Sequence, residues 1–258
     1  MGKVLHDVVF TAVRAAQDAK KKYGKDKVID ATLGSLYNEE GIMVALDSVW
    51  DVFNDIPNIQ KAKYASSLQG NIEYREAVKK WLGLPDAEVV ATPGGSGAVS
   101  ITFKNSLDQG DKILLPDVYW APYLVMAVEQ KLEVDYYQMF KGDHFDVESF
   151  KVKCLELMKE QGKVLVAIND PAHNHTGYTM SMNEWEQVMA FLNELANQGK
   201  VMILNDIAYI DFVKDIKKSR KHFKLFKNIN DNLLISVTFS ISKTLTAYGL
   251  RVGAAVIV

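Results

Sequence analysis

The stretch SISKTLTAYGLRVG places Lys243 where an apolar strand should be ending and Arg251, eight residues later, where another begins. Burying an ammonium group costs several kcal/mol or forces its neutralisation, so Lys243 either turns out to solvent or has a chemical task. The chain's arginines are Arg14, Arg75, Arg220 and Arg251. Arg14 and Arg75 fall on amphipathic helical patterns and Arg220 in the basic run KKSRKHFK, positions that are expected to face solvent. Arg251 alone opens an apolar segment, where a fixed anion would explain it, and a guanidinium suits a phosphate.

Three other strand ends carry unusual residues, and in open parallel sheets ligands bind beyond the carboxyl ends of strands. PGGSGAVS follows AEVVAT, and its Gly95, Ser96 and Gly97 open a helix whose amides could hold an anion; the same pattern also serves as a tight turn. Ser100 occupies the third glycine position of a dinucleotide fingerprint, so that reading is not supported. Asp206 ends KVMILND, where it either caps the next helix or faces a cationic ligand atom. PAHNHTGY follows KVLVAIND, and its His173 and His175 have the spacing of a metal pair. A metal needs further ligands: Asp206 could help, but His144 and His222 lie in lysine-rich stretches expected to be exposed. The alternative is a polar loop in which Asn174 and Thr176 bond locally and Gly177 supplies a turn.

A nucleophilic lysine, an arginine and a glycine-rich helix start for one phosphate, and a buried carboxylate for a cationic ring nitrogen form a coherent set. They meet the needs of pyridoxal 5'-phosphate.

The elements that must position these residues are legible as alternation. From about residue 86 onward, short β-rich apolar runs alternate with helical segments, the pattern of a parallel sheet covered on both faces. The strands are expected at AEVVAT, DKILLPD, LEVDYYQ, KVLVAIND, KVMILND, NLLISVTFS and RVGAAVIV. The fold class is therefore α/β, a three-layer α/β/α arrangement around a mostly parallel seven-stranded sheet, preceded by an N-terminal helical arm. In SMNEWEQVMAFLNELANQG, Ser181 and Glu184 read as a capping box, with Gly199 closing the helix. Helices are also expected through VVFTAVRAAQDAKKKYG and near VALDSVWDVF and NIEYREAVKKWLG.

Composition excludes some partners. With 30 basic against 32 acidic residues the net charge is −2, which leaves no basic face for nucleic acid or an anionic membrane. No run reaches the roughly 18 apolar residues of a membrane span. The single cysteine, Cys154, cannot form an internal disulfide, and a cytoplasmic protein is expected.

With these residues in place, the chain resembles the fold-type I, class I/II aminotransferases, the aspartate and aromatic aminotransferase group. SISKTLTAYGLRVG resembles the family's Ser-x-Ser-Lys-(x)7-Arg-x-Gly signature, which implies Lys243 as the Schiff-base lysine with Ser240 and Arg251 on the phosphate. DIAYIDF resembles the Asp-x-Ala-Tyr segment, implying Asp206 on the pyridine nitrogen and Tyr209 on the phenolic oxygen. HNHTG is similar to Asn-Pro-Thr-Gly, placing Asn174 on that same oxygen and near substrate, with His175 where the family has proline. PGGSGA resembles the phosphate loop. Trp120, in YWAPY, is similar to the aromatic residue that stacks on the ring and lies near substrate, with Tyr119 as its neighbour. KYASSLQG implies that Tyr64 reaches the phosphate of a second subunit, and LGSLYNEEG places Gly34 on the substrate side.

The resemblance implies an enzyme that moves an amino group from an L-amino acid to a 2-oxo acid in amino-acid metabolism and biosynthesis. It also implies a homodimer with active sites at the subunit interface. Residues 1–55 would form the arm and part of a small domain, and 56–258 the cofactor-binding large domain. This chain is expected to lack the family's C-terminal small domain, which carries the arginine for the substrate carboxylate. Rival readings are a β-lyase, decarboxylase or racemase with the same cofactor, a non-catalytic domain that binds it, and a metal hydrolase built on His173 and His175.

Overall fold

The computed structural model describes residues 8–258, with side chains from residue 11; residues 1–7 of the expected arm lie outside the described residues. The seven expected strands form one sheet. They are β1 (Glu88–Pro93), β2 (Lys112–Pro116), β3 (Glu133–Tyr137), β6 (Lys163–Asn169), β7 (Lys200–Asp206), β8 (Leu233–Ser240) and β9 (Val252–Ile257), with a small separate hairpin of β4 (Phe140–Lys141) and β5 (His144–Phe145) between β3 and β6 in the chain. Their spatial order is β1-β9-β8-β7-β6-β2-β3, and only β9 runs antiparallel to its neighbours. The mostly parallel sheet is as expected.

Alternation along each central strand explains why helices cover both faces. On β6, Val164, Val166 and Ile168 enter one core while Leu165 and Ala167 enter the other; on β7, Val201 and Ile203 separate in the same way from Met202 and Leu204. The first core is closed by α7 (Val147–Gln161) and α8 (Met182–Leu195) through Phe150, Leu157, Trp185 and Leu192. The second is closed by α5 (Gly94–Ser106) and α6 (Pro122–Glu129) through Val99, Phe103, Tyr123 and Ala127. The result is three layers.

Helix α8 starts as expected, with both hydrogen bonds of the Ser181–Glu184 capping box present. Its end differs. The helix stops at Leu195, and Gly199 lies beyond it, where an added Cβ would collide with the carbonyl oxygen of Gly162. Gly199 is thus required by close backbone approach rather than as a helix stop.

Ahead of the sheet lie α1 (Val8–Tyr23), α2 (Asp47–Asp55), α3 (Asn58–Ala62) and α4 (Ile72–Leu82). Among the described residues of these helices, only α4 contributes buried ones, Val78 and Leu82. Among the described residues, no helix is long and apolar enough to cross a membrane.

Candidate active site

The sheet register brings the chemistry together. Asn169 on β6 pairs with Asp206 on β7, and Asp206 with Thr238 on β8, so three parallel strands end side by side. A cavity of about 590 Å³ opens beyond these ends. Of the expected site residues, Gly34, Gly95, Ser96, Trp120, Asn174, Asp206, Tyr209, Ser240, Lys243 and Arg251 line it. Gly97 and Tyr64 do not. Gly97 packs on Pro93, whose Cδ would lie 2.6 Å from an added Cβ, and Tyr64 is 99% exposed.

Lys243 is set three residues past the end of β8, on the single turn of α9 (Ile241–Thr244), which Ser240 caps by accepting from the amide of Ser242. Its Nζ donates to the carbonyl of Gly34 at 2.6 Å and lies 5.5 Å from the Tyr209 ring centroid and 5.4 Å from that of Tyr248. Partial burial, and secondarily the charge of Arg251, push the Lys243 pKa below the ordinary lysine value. A lowered pKa makes the neutral, nucleophilic amine more accessible. Gly34 is required by this crowding, because an added Cβ would lie 2.6 Å from the Tyr209 hydroxyl and 2.7 Å from Nζ.

Asp206, which also lines the cavity, is buried, accepts a 2.5 Å hydrogen bond from the Tyr123 hydroxyl at Oδ2, and accepts from the amide of Ala208 at Oδ1. Burial raises its pKa despite these donors. Its first partners are therefore a phenol and a backbone amide, and a cation on the cavity side would complete its environment. Asn169 braces the same strand end: its Nδ2 donates to the Asp206 carbonyl, and its Oδ1 accepts from the amide of Asn174.

At the third corner, α5 points its N-terminus at the cavity. Gly94, with φ 72°, lets the Arg251 guanidinium lie over the helix start; an added Cβ would stand 2.6 Å from Nη2. Ser240 packs on Gly95, its Cβ 3.3 Å from the position a side chain would take. Free amides, a hydroxyl and a guanidinium around a concave backbone suit a phosphate. Arg251 precedes β9 in a left-handed conformation and is exposed in the cavity.

Trp120 faces the cavity and meets the Tyr123 ring edge-on at 5.3 Å, while Tyr119 stacks on Tyr136 at 5.6 Å. The peptide between Asn174 and His175 is cis, with His175 lining the cavity. His173 is buried and its Nδ1 lies 3.0 Å from the Thr176 hydroxyl, so this loop bonds locally, and Gly177 takes a positive φ of 74°. Among the described residues, no group of three or more histidine, cysteine, aspartate or glutamate side chains could hold a metal.

Two expectations of exposure are overturned. His222 is 3% exposed and stacks on Trp185 at 4.6 Å, because the basic run folds back as a short 3-10 turn over α8. Arg220 is mostly buried and pairs with Asp211 at 2.6 Å. The residues that sequence reasoning missed are Tyr123, Asn169, Gly94 and Tyr248. No signal in the sequence separates Tyr123 from the apolar residues of α6 around it.

A lysine, a buried carboxylate and an anion cradle meet around one cavity at the carboxyl ends of a mostly parallel sheet, an arrangement that could hold a phosphorylated carbonyl compound with a basic ring nitrogen. Comparison with known proteins agrees. The family model for class I and II aminotransferases matches residues 27–258, and the chain belongs to that family.

An aspartate aminotransferase from Pseudomonas aeruginosa is 26% identical over 244 residues, covering 89% of this chain and 58% of that enzyme. A histidinol-phosphate aminotransferase from Sulfurisphaera tokodaii is 31% identical over 69% of this chain and 46% of its own length. Among solved structures, an aminotransferase from Anaerococcus prevotii superposes with a TM-score of 0.94 at 35% identity, over all of this chain and 65% of the other. The cytoplasmic aspartate aminotransferase of Saccharomyces cerevisiae shares the fold, with a TM-score of 0.80 at 19% identity. The chain thus spans less than two thirds of the length of each.

Proposed function

We propose that this chain carries the cofactor site of a pyridoxal-phosphate-dependent aminotransferase that moves an amino group from an L-amino acid to a 2-oxo acid. The observation that carries the reading is the convergence of Lys243, Asp206 and the Arg251–α5 cradle on one cavity. The buried, cation-free carboxylate of Asp206 and the cradle that a Cβ at Gly94 would fill both fit that cofactor. When bound, it would supply an aldehyde for covalent attachment and a ring that accepts electrons from the substrate.

The residues divide the work. Lys243 is the attachment point and, when free, the base that takes the proton from the substrate α-carbon and the acid that gives one back. Its depressed pKa keeps the amine available for that role. Asp206 would hold a proton on the ring nitrogen by its charge, with Tyr123 and the Ala208 amide fixing its oxygens. Tyr209 and Asn174, which line the cavity, would donate to the phenolic oxygen, and Trp120 would cover the ring. Gly95, Ser96, Ser240 and Arg251 would bind the phosphate, while Gly97 packs on Pro93 behind the helix start. Gly34, Trp120 and Asn174 border the substrate.

Residues 1–55 belong, in this reading, to an arm and part of a small domain, and 56–258 to the cofactor domain. Ile29, Tyr64 and Leu68 are almost fully exposed, which supports a second copy of the chain covering this face and bringing Tyr64 to its partner's phosphate. We place the protein in the cytoplasm, where the buried free thiol of Cys154 would stay reduced.

The test is an assay of amino transfer from L-amino acids to 2-oxo acids by the loaded protein, with ammonia and carbon dioxide followed in parallel. Transfer without either gas supports the proposal. Ammonia or carbon dioxide release without transfer would replace it with a lyase or decarboxylase.

A further inference from the structure

We propose that Asp211 is a positioning residue for Lys243, clamped by Arg220 and acting through the hydroxyl of Thr244. The inference rests on the reading of Lys243 as the attachment lysine.

Helix α9 is a single turn, so its own hydrogen bonds do little to fix its direction. Its orientation depends on side-chain anchors at either end. At the start, Ser240 caps the Ser242 amide. At the end, Thr244, the residue after Lys243, donates to Asp211 Oδ2 at 2.7 Å. Asp211 lies two residues beyond Tyr209 on the loop leaving β7. One hydrogen bond therefore ties the turn that bears the lysine to the loop that bears Tyr209.

The carboxylate has little freedom to turn away. Its Oδ1 accepts from Arg220 Nη2 at 2.6 Å, and the two side chains are only 14% and 19% exposed. The guanidinium is held in turn by the carbonyl of Ile216 and lies 6.0 Å from the Trp81 ring centroid on α4. With Oδ1 committed to Arg220, Oδ2 is presented to Thr244 in one direction.

The consequence falls on Lys243 rather than on the fold. Nζ is held among Gly34, Tyr209, Tyr248 and Arg251 in a partly desolvated corner. Without the Thr244 anchor the turn can rotate, Nζ gains water, and its pKa rises toward the ordinary lysine value. Attachment then becomes slower and requires higher pH.

The experiment adds pyridoxal phosphate to the cofactor-free protein and follows borohydride-fixed attachment at Lys243 against pH, for wild type, Thr244→Val and Thr244→Ser, with a melting curve for each. The expected result is attachment about tenfold slower in Thr244→Val. Its pH profile should be displaced upward, its melting temperature close to wild type, and both kinetic changes reversed in Thr244→Ser. Wild-type rate and pH profile in Thr244→Val would overturn the positioning role while leaving Lys243's role intact. Failure of Thr244→Ser to restore them would also overturn it. Absence of attachment in the wild type would remove both readings together.

Discussion

The Tyr123 hydroxyl donates to Asp206 Oδ2 at 2.5 Å, so a fully buried phenol on α6 meets the one carboxylate at the end of β7. That bond favours ionised Asp206 against the burial that raises its pKa. Tyr123→Phe should therefore raise the Asp206 pKa further. We expect turnover to fall about tenfold, in line with the loss of one hydrogen bond to a charged group, and the acidic limb of the activity profile to move to higher pH. A pH series of initial rates on both proteins checks this, and an unmoved acidic limb would contradict it.

Gly34→Ala introduces a methyl 2.6 Å from the Tyr209 hydroxyl and 2.7 Å from Lys243 Nζ. Both are side-chain ends that can shift, so the fold should survive while the lysine is displaced. Cofactor attachment should slow about tenfold or more, read as the growth of the bound cofactor's absorbance band.

Arg251→Gln removes the guanidinium from the start of α5 and leaves the hydrogen bonds that anchor the Lys243 turn in place. Affinity for pyridoxal phosphate should fall roughly ten- to a hundredfold, the worth of a charge-assisted hydrogen bond. Unphosphorylated pyridoxal should bind both proteins alike. Equilibrium dialysis with the two ligands separates a phosphate role from a general loss of the pocket.

His222 is held neutral by burial, its pKa lowered to about 3, between Trp185 and the Asn205 side chain. In the unfolded chain it titrates near 6.5, so the unfolded state binds more protons between those values. The stability gained by keeping it neutral is complete above pH 6.5 and is lost as pH falls from there toward about 3. His222→Gln should shrink that loss. Urea melts of both proteins from pH 7 down to 4 measure it as the change in their difference; a pH-independent difference would count against the assignment.

The sheet was legible because its signals are local. Alternating burial demands apolar residues on both faces of β6 and β7, and Val164 to Ile168 and Val201 to Leu204 supply them in an unbroken run. Lys243, Asp206 and Arg251 were legible because charges at the ends of such runs are costly without a partner. What sequence reasoning missed depends on the third dimension. Tyr123 reads as one more apolar face residue of α6 until β7 is placed beside it. Arg220 and His222 share a basic run whose composition says solvent, yet that run folds against Asp211 and Trp185. Gly199 resembles a helix stop until Gly162 is seen to pass against it.

The central claim is that Lys243 covalently holds a carbonyl cofactor in this cavity. Borohydride reduction of the protein loaded with pyridoxal phosphate, followed by peptide mass measurement, tests it most directly. The account predicts one stable adduct on the peptide bearing Lys243 and none in Lys243→Ala. An adduct of the same yield in Lys243→Ala, or one on another lysine in the wild type, would contradict it.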